Sequence, residues 1–157
     1  MFEFEEEKYF DPSEDGYTHL NAYSKGRTKI GRMLSNFAFS PFTLEPFGTF
    51  NSMEGFYYWY ITGQEHNELR KLSGSTAKVQ GQKFKRVITS FTDEDLEVIQ
   101  NAMVAKIFQN PEIMQGLRDS TLEIVHYYVM HGRVIRLDNE HDWFVNTLVL
   151  IRDALQK

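Results

Sequence analysis

Residues 92–111 constrain the fold more than any other stretch of the chain. Thr92 followed by Asp93, Glu94 and Asp95 is a helix start: a side-chain oxygen to cap free N–H groups, and acids on the positive end of the helix dipole. Leu96, Ile99, Met103 and Ile107 then recur at helical spacing and form one apolar stripe. Asn110-Pro111 ends the helix, and Pro111 suits the first position of the next one. A striped helix over 93–109 needs an apolar surface to pack on. The chain can provide it: 41% of its 157 residues are hydrophobic, and that length fits one domain with a sizeable core.

The rest of the chain reads around that helix. Residues 1–20 are an acidic lead-in, partly extended. Residues 34–51 alternate aromatic and small residues around Pro41, Pro46 and Gly48, which predicts short strands and turns. Residues 53–62 read as a short, mostly buried helix capped by Asn51 or Ser52 and ended by Gly63. A basic helix is expected over 75–86. Residues 121–138 hold two β-rich runs around Met130-His131-Gly132, a hairpin pattern. A last helix is expected over 140–155, with Phe144, Leu148, Ile151 and Leu155 on one face. The expected fold is α+β, helix-dominated, with a few short strands. It forms a single domain over 1–157, with residues 1–25 as the lead-in and 30–155 as the core.

Charge and composition narrow the function classes. The net charge of −5 argues against a protein that coats nucleic acid non-specifically. The charge is uneven, however. Residues 1–15 carry seven acids and one lysine, whereas Arg70, Lys71, Lys78, Lys83, Lys85 and Arg86 lie in an acid-free run over 70–91. Lys25, Arg27, Lys29 and Arg32 form a second basic stretch. Such runs are either solvated faces or contacts to an anionic ligand. There is no cysteine, so disulfides and thiolate metal sites are excluded. No apolar run approaches the roughly 20 residues of a membrane span, and the acidic start has no signal-peptide pattern. A cytoplasmic protein is expected. Phosphate-binding glycine loops, zinc-protease helices and nucleophile elbows are absent, and His19, His66, His126, His131 and His141 show no metal-ligand spacing. The expectation is a chemistry without metal or cofactor.

Four segments, in order, resemble the NADAR (YbiA-like) family. They are Leu34-Ser35-Asn36-Phe37, then Ser52-Met53-Glu54 opening an aromatic helix, then Ala77-Lys78-Val79-Gln80-Gly81, and finally Ala105 to Glu112, AKIFQNPE. The likeness spans roughly residues 30–155. The departures are specific. A lysine seven residues after the family's glutamate is Ile61 here, so Lys78, Lys83 or Lys85 has to supply any lysine from elsewhere. A family tryptophan falls near Phe91, and a family arginine falls at Gln82. The C-terminal acid is assigned to Asp138, with Asp142 as the alternative.

The resemblance implies an N-glycosidase. The substrate class it suggests first is ADP-ribose attached to guanine bases in DNA, so that the enzyme reverses DNA modification as an antitoxin or phage counter-defence. A phosphorylated riboside of the riboflavin pathway is the alternative substrate. A non-catalytic ADP-ribose or NAD sensor is the alternative class. The partner is then ADP-ribosylated DNA or a small riboside, not a membrane. Glu54 and Asp138 are the catalytic candidates. Ser35, Asn36, Phe37, Tyr57, Lys78, Gly81, Phe91, Lys106, Gln109 and Asn110 are the substrate-binding candidates, with Trp143 as a further ring.

Each of these residues also has a plain structural role. Glu54 is either a catalytic carboxylate or an acid facing its own helix dipole. Ser35 and Asn36 either contact a ribose or phosphate or hold a turn. Lys78 and Gly81 are either phosphate contacts or an exposed lysine and a helix glycine. Lys106, Gln109 and Asn110 either reach substrate or finish a helix. Tyr57, Phe91 and Trp143 either stack on a base or fill the core.

Overall fold

The computed structural model describes residues 10–137 and 142–157. Among them, six α-helices and six strands of three or four residues form one α+β fold in which helix dominates. The helices are α1 (Lys29–Leu34), α2 (Met53–Ile61), α3 (Gly74–Gly81), α4 (Asp93–Gln109), α5 (Pro111–Asp119) and α6 (Asp142–Leu155). The strands are β1 (His19–Asn21), β2 (Phe42–Leu44), β3 (Gly48–Phe50), β4 (Glu123–Val125), β5 (Tyr127–Met130) and β6 (Arg133–Arg136). They pair two by two: β1 with β4 in parallel, β2 with β3 and β5 with β6 antiparallel. No helix among the described residues is long and apolar enough to cross a membrane.

The helix over 93–109 is α4. Thr92 Oγ1 accepts from the Asp95 N–H, and the Asp95 carboxylate accepts from the Thr92 N–H, a reciprocal cap. Its stripe of Ile99, Met103 and Ile107 is buried against α2, α5, α6 and β2. α2 is the most enclosed helix. Phe56, Trp59, Tyr60 and Ile61 all face protein, and edge-to-face contacts join Phe50 to Phe56 (4.9 Å) and to Trp59 (5.0 Å). The hairpin forms where its pattern lies: β5 and β6 meet in register through His131 and Gly132. These residues take φ of 51° and 74°, the doubly left-handed turn that matches strand twist.

One element ends elsewhere than the sequence placed it, and two stretches hold elements that it did not specify. The basic helix stops at Gly81 rather than running to 86. Beyond it, the N–H groups of Val87 and Ile88 both donate to the Ile61 carbonyl, and Phe84 stacks on His66 at 3.6 Å. The segment is therefore drawn onto the end of α2. The region expected to be a lead-in contains β1, whose His19, Leu20 and Asn21 are buried through pairing with β4. The basic stretch over 25–32 contains α1, capped by Thr28.

Candidate active site

The start of α2 is held from two sides. Ser52 Oγ accepts from the Gly55 N–H (3.0 Å) and donates to the Leu72 carbonyl (2.8 Å). Gly55 lies so close to residues 69–72 that a Cβ there would sit 2.4 Å from the Leu69 oxygen. The Glu54 N–H donates to the Asn36 carbonyl at 2.9 Å. The first turn of α2, and Glu54 with it, is therefore fixed to the loop that follows α1.

The Glu54 carboxyl is largely enclosed but keeps an opening to solvent. Burial pushes its pKa up to about 7, and the Lys78 ammonium draws it part of the way back. Among the described residues, no donor is hydrogen-bonded to this carboxyl. The Tyr57, Tyr58 and Tyr128 hydroxyls lie within electrostatic reach of it. Burial raises the pKa of each, and the Glu54 charge raises it further. The Asn36 Oδ1 is buried without a hydrogen-bond partner, and Asn36 lines the narrow space shared with Lys106.

α3 forms the second wall. Its first N–H, from Gly74, donates to the Phe37 carbonyl at 2.9 Å, so the Ser35–Phe37 loop anchors both α2 and α3. Ser35 is buried, and its Oγ accepts from the Phe37 N–H. Lys78, on α3, lies near enough for its charge to favour the ionised form of Glu54. Gly81 works by close packing: a Cβ there would lie 2.2 Å from the Tyr58 ring.

A ring cluster completes the rim. Tyr57 lies nearly parallel to Trp143 (centroids 6.4 Å, 14°), and Phe91 stands edge-on to both at 6.2 and 6.3 Å. All three rings are partly exposed. The Arg86 guanidinium donates to the Tyr57 hydroxyl at 3.4 Å.

The remaining candidates lie in other settings. Lys106 is buried, and its Nζ donates to the Leu34 and Ser35 carbonyls. Gln109 clamps the Thr43 backbone with both ends of its amide, each at 2.8 Å. The Asn110 amide donates to the Pro41 and Lys106 carbonyls. Asp138 lies outside the described residues. Ile61 is buried in the core, and Lys78 is the lysine that faces Glu54.

The fold is similar to that of YbiA. The NMR structure of this E. coli protein superimposes with a TM-score of 0.64 over 88% of this chain and 84% of its own, at 21% sequence identity. No protein-family profile matches the chain, and no curated protein matches it. The likeness to YbiA at this identity carries the fold.

Sequence reasoning missed several groups on this YbiA-like frame. The Glu54 charge acts on Tyr58 and Tyr128, and neither carried a signal beyond being aromatic in a buried segment. Tyr23 packs against Tyr128 at 5.1 Å, a contact created by the non-local pairing of β1 with β4. Arg86 was visible only as one member of a basic run, and its approach to Tyr57 depends on the helix ending at Gly81.

Proposed function

We propose that this chain is an N-glycosidase of the NADAR (YbiA-like) type that releases ADP-ribose from modified guanine bases in DNA. The observation that carries the reading is the Glu54 carboxyl: largely enclosed, without a hydrogen-bond partner among the described residues, and ionising near pH 7. A group of that pKa can accept and return a proton at neutral pH. As the glycosidic C1′–N bond lengthens, positive charge grows at C1′, and a carboxylate beside it stabilises that charge. Glu54 takes a proton from water, the water oxygen bonds to C1′, and the base leaves with the electron pair of the broken bond. Returning the proton to the departing nitrogen restores Glu54. Lys78 and Arg86 are suited to phosphate, and the Tyr57, Phe91 and Trp143 faces to the base.

A phosphorylated small riboside is a second reading, favoured by a particular observation. Much of the basic stretch over 25–32 is engaged within the protein: Lys29 pairs with Glu112, Arg27 donates to the Ser13 carbonyl, and Arg32 donates to the Gly26 and Arg27 carbonyls. The basic side chains beside Glu54 then suit a compact anion as well as a strand. Incubation with ADP-ribosylated duplex DNA, and separately with a phosphorylated N-riboside, separates the readings. Free ADP-ribose from the DNA supports the first, and base release from the riboside alone supports the second. Saturable ADP-ribose binding with no product from either would make the protein a sensor and defeat both.

A further inference from the structure

Lys106 has an uncommon setting for a lysine. It lies in the last turn of α4, only 2% exposed, with its Nζ 2.8 Å from the Ser35 carbonyl and 3.3 Å from the Leu34 carbonyl. Those carbonyls close α1, where a helix leaves its last acceptors unpaired and its dipole favours a cation. The side chain runs along an apolar space, too narrow for a water molecule, whose lining includes Leu34, Met53, Met103 and Asn36. Burying a lysine costs free energy, and a carboxylate partner is the usual compensation. Here two backbone carbonyls stand in its place, and burial still pulls the Lys106 pKa down to about 7.

The next link is covalent. Asn36 follows Ser35, and its carbonyl receives the Glu54 N–H. We infer that Lys106 is a positioning residue: its Nζ pins the Leu34 and Ser35 carbonyls and, through Asn36, fixes where the first turn of α2 presents Glu54. It touches neither Glu54 nor a reacting atom, and its effect passes through the loop. The inference rests on the assignment of the site to Glu54 but on no particular substrate.

The test is an NMR titration of the Glu54 side-chain carboxyl in the whole protein, in wild type and in Lys106→Met, which keeps length and apolar packing. Glu54 owes its raised midpoint to burial. If the loop loses its pin, water reaches the carboxyl, and the midpoint falls by about one pH unit or more toward the ordinary glutamate value. Lys106→Arg, which can donate to both carbonyls, should recover most of the wild-type midpoint. An unchanged midpoint in folded Lys106→Met would overturn the inference and leave Lys106 as a core residue only. A rise would also overturn it, because a rise is the through-space effect of deleting a positive charge. Should Lys106→Met fail to fold, Lys106→Leu, which also lacks a donor and fills part of the same apolar space, is judged by the same two outcomes. No substrate is needed, so this result and the search for N-glycosidase activity can fail separately.

Discussion

Replacing Glu54 with glutamine should make the protein more stable and less active, and the gain in stability should depend on pH. The side chain keeps its size and loses its charge. Each tenfold bias against ionisation corresponds to about 1.4 kcal/mol. A pKa moved from 4.5 to about 7 would amount to about 3 kcal/mol for a fully enclosed group. The opening to solvent reduces that to about 2 kcal/mol, and losing a favourable helix-dipole contact removes a further 0.3–1 kcal/mol or so.

The folded-state pKa lies above the unfolded one. The stabilisation from the protonated carboxyl is therefore complete below about 4.5 and is lost as pH rises through about 7. Glutamine cannot ionise and does not lose it. Paired melting curves should thus nearly coincide at pH 4, while at pH 8.5 Glu54→Gln should melt higher by roughly 2–6 °C for a chain of this length. Turnover of the ADP-ribosylated substrate should fall about 10²-fold or more. A variant that melts lower than wild type by the same small amount at both pH values would refute the reasoning. Glu54 would then be a solvated helix-start residue with no special ionisation.

Four further outcomes test other parts of the site. Lys78→Met should raise the Glu54 midpoint, because Lys78 now lowers it, and should weaken binding of a phosphorylated ligand; an unmoved midpoint in the titration would place Lys78 away from the carboxyl. Gly81→Ala puts a methyl group into the Tyr58 ring and should cost about 1–3 kcal/mol of stability in a urea melt; a neutral result would mean that α2 and α3 pack more loosely than described. Gln109→Ala removes both bonds to Thr43 and should cost about 1 kcal/mol with turnover intact, whereas lost turnover at unchanged stability would return Gln109 to the site. Activity should survive EDTA, and rescue of a chelated sample by Mg²⁺ would require a metal in the mechanism.

Local chemistry made much of the fold legible. The Thr92 cap, the stripe of α4, Pro111 opening α5 and the His131-Gly132 turn are short-range signals, and each marks an element where it lies. The extent of α3 was not legible, because its end is set by the Ile61 carbonyl capturing Val87 and Ile88, which no window around 75–86 contains. Glu54, Asn36, Tyr57, Lys78 and Phe91 were named from the sequence, and the fold gathers them around α2. Their neighbours Tyr58 and Tyr128 were not named, because a tyrosine that faces a carboxyl and one that faces the core are identical in sequence. Lys106, Gln109 and Asn110 show the reverse ambiguity: their polar groups hold backbone carbonyls, a use that a motif cannot distinguish from holding a ligand.

The parallel pairing of β1 with β4 sets the order in which the protein can be completed during synthesis. His19 leaves the ribosome about 100 residues before Glu123, its partner in the ladder. At a translation rate of about 5–20 residues per second, β1 waits roughly 5–20 s with an unpaired edge. The apolar side chain of Leu20 and the aromatic ring of Tyr23 are exposed for that interval. Glu54 and Lys78 meanwhile precede Tyr128, one of the groups on which the Glu54 charge acts, by at least 50 residues of synthesis. Chaperone capture during translation should therefore begin at β1 and end only when β4 has emerged.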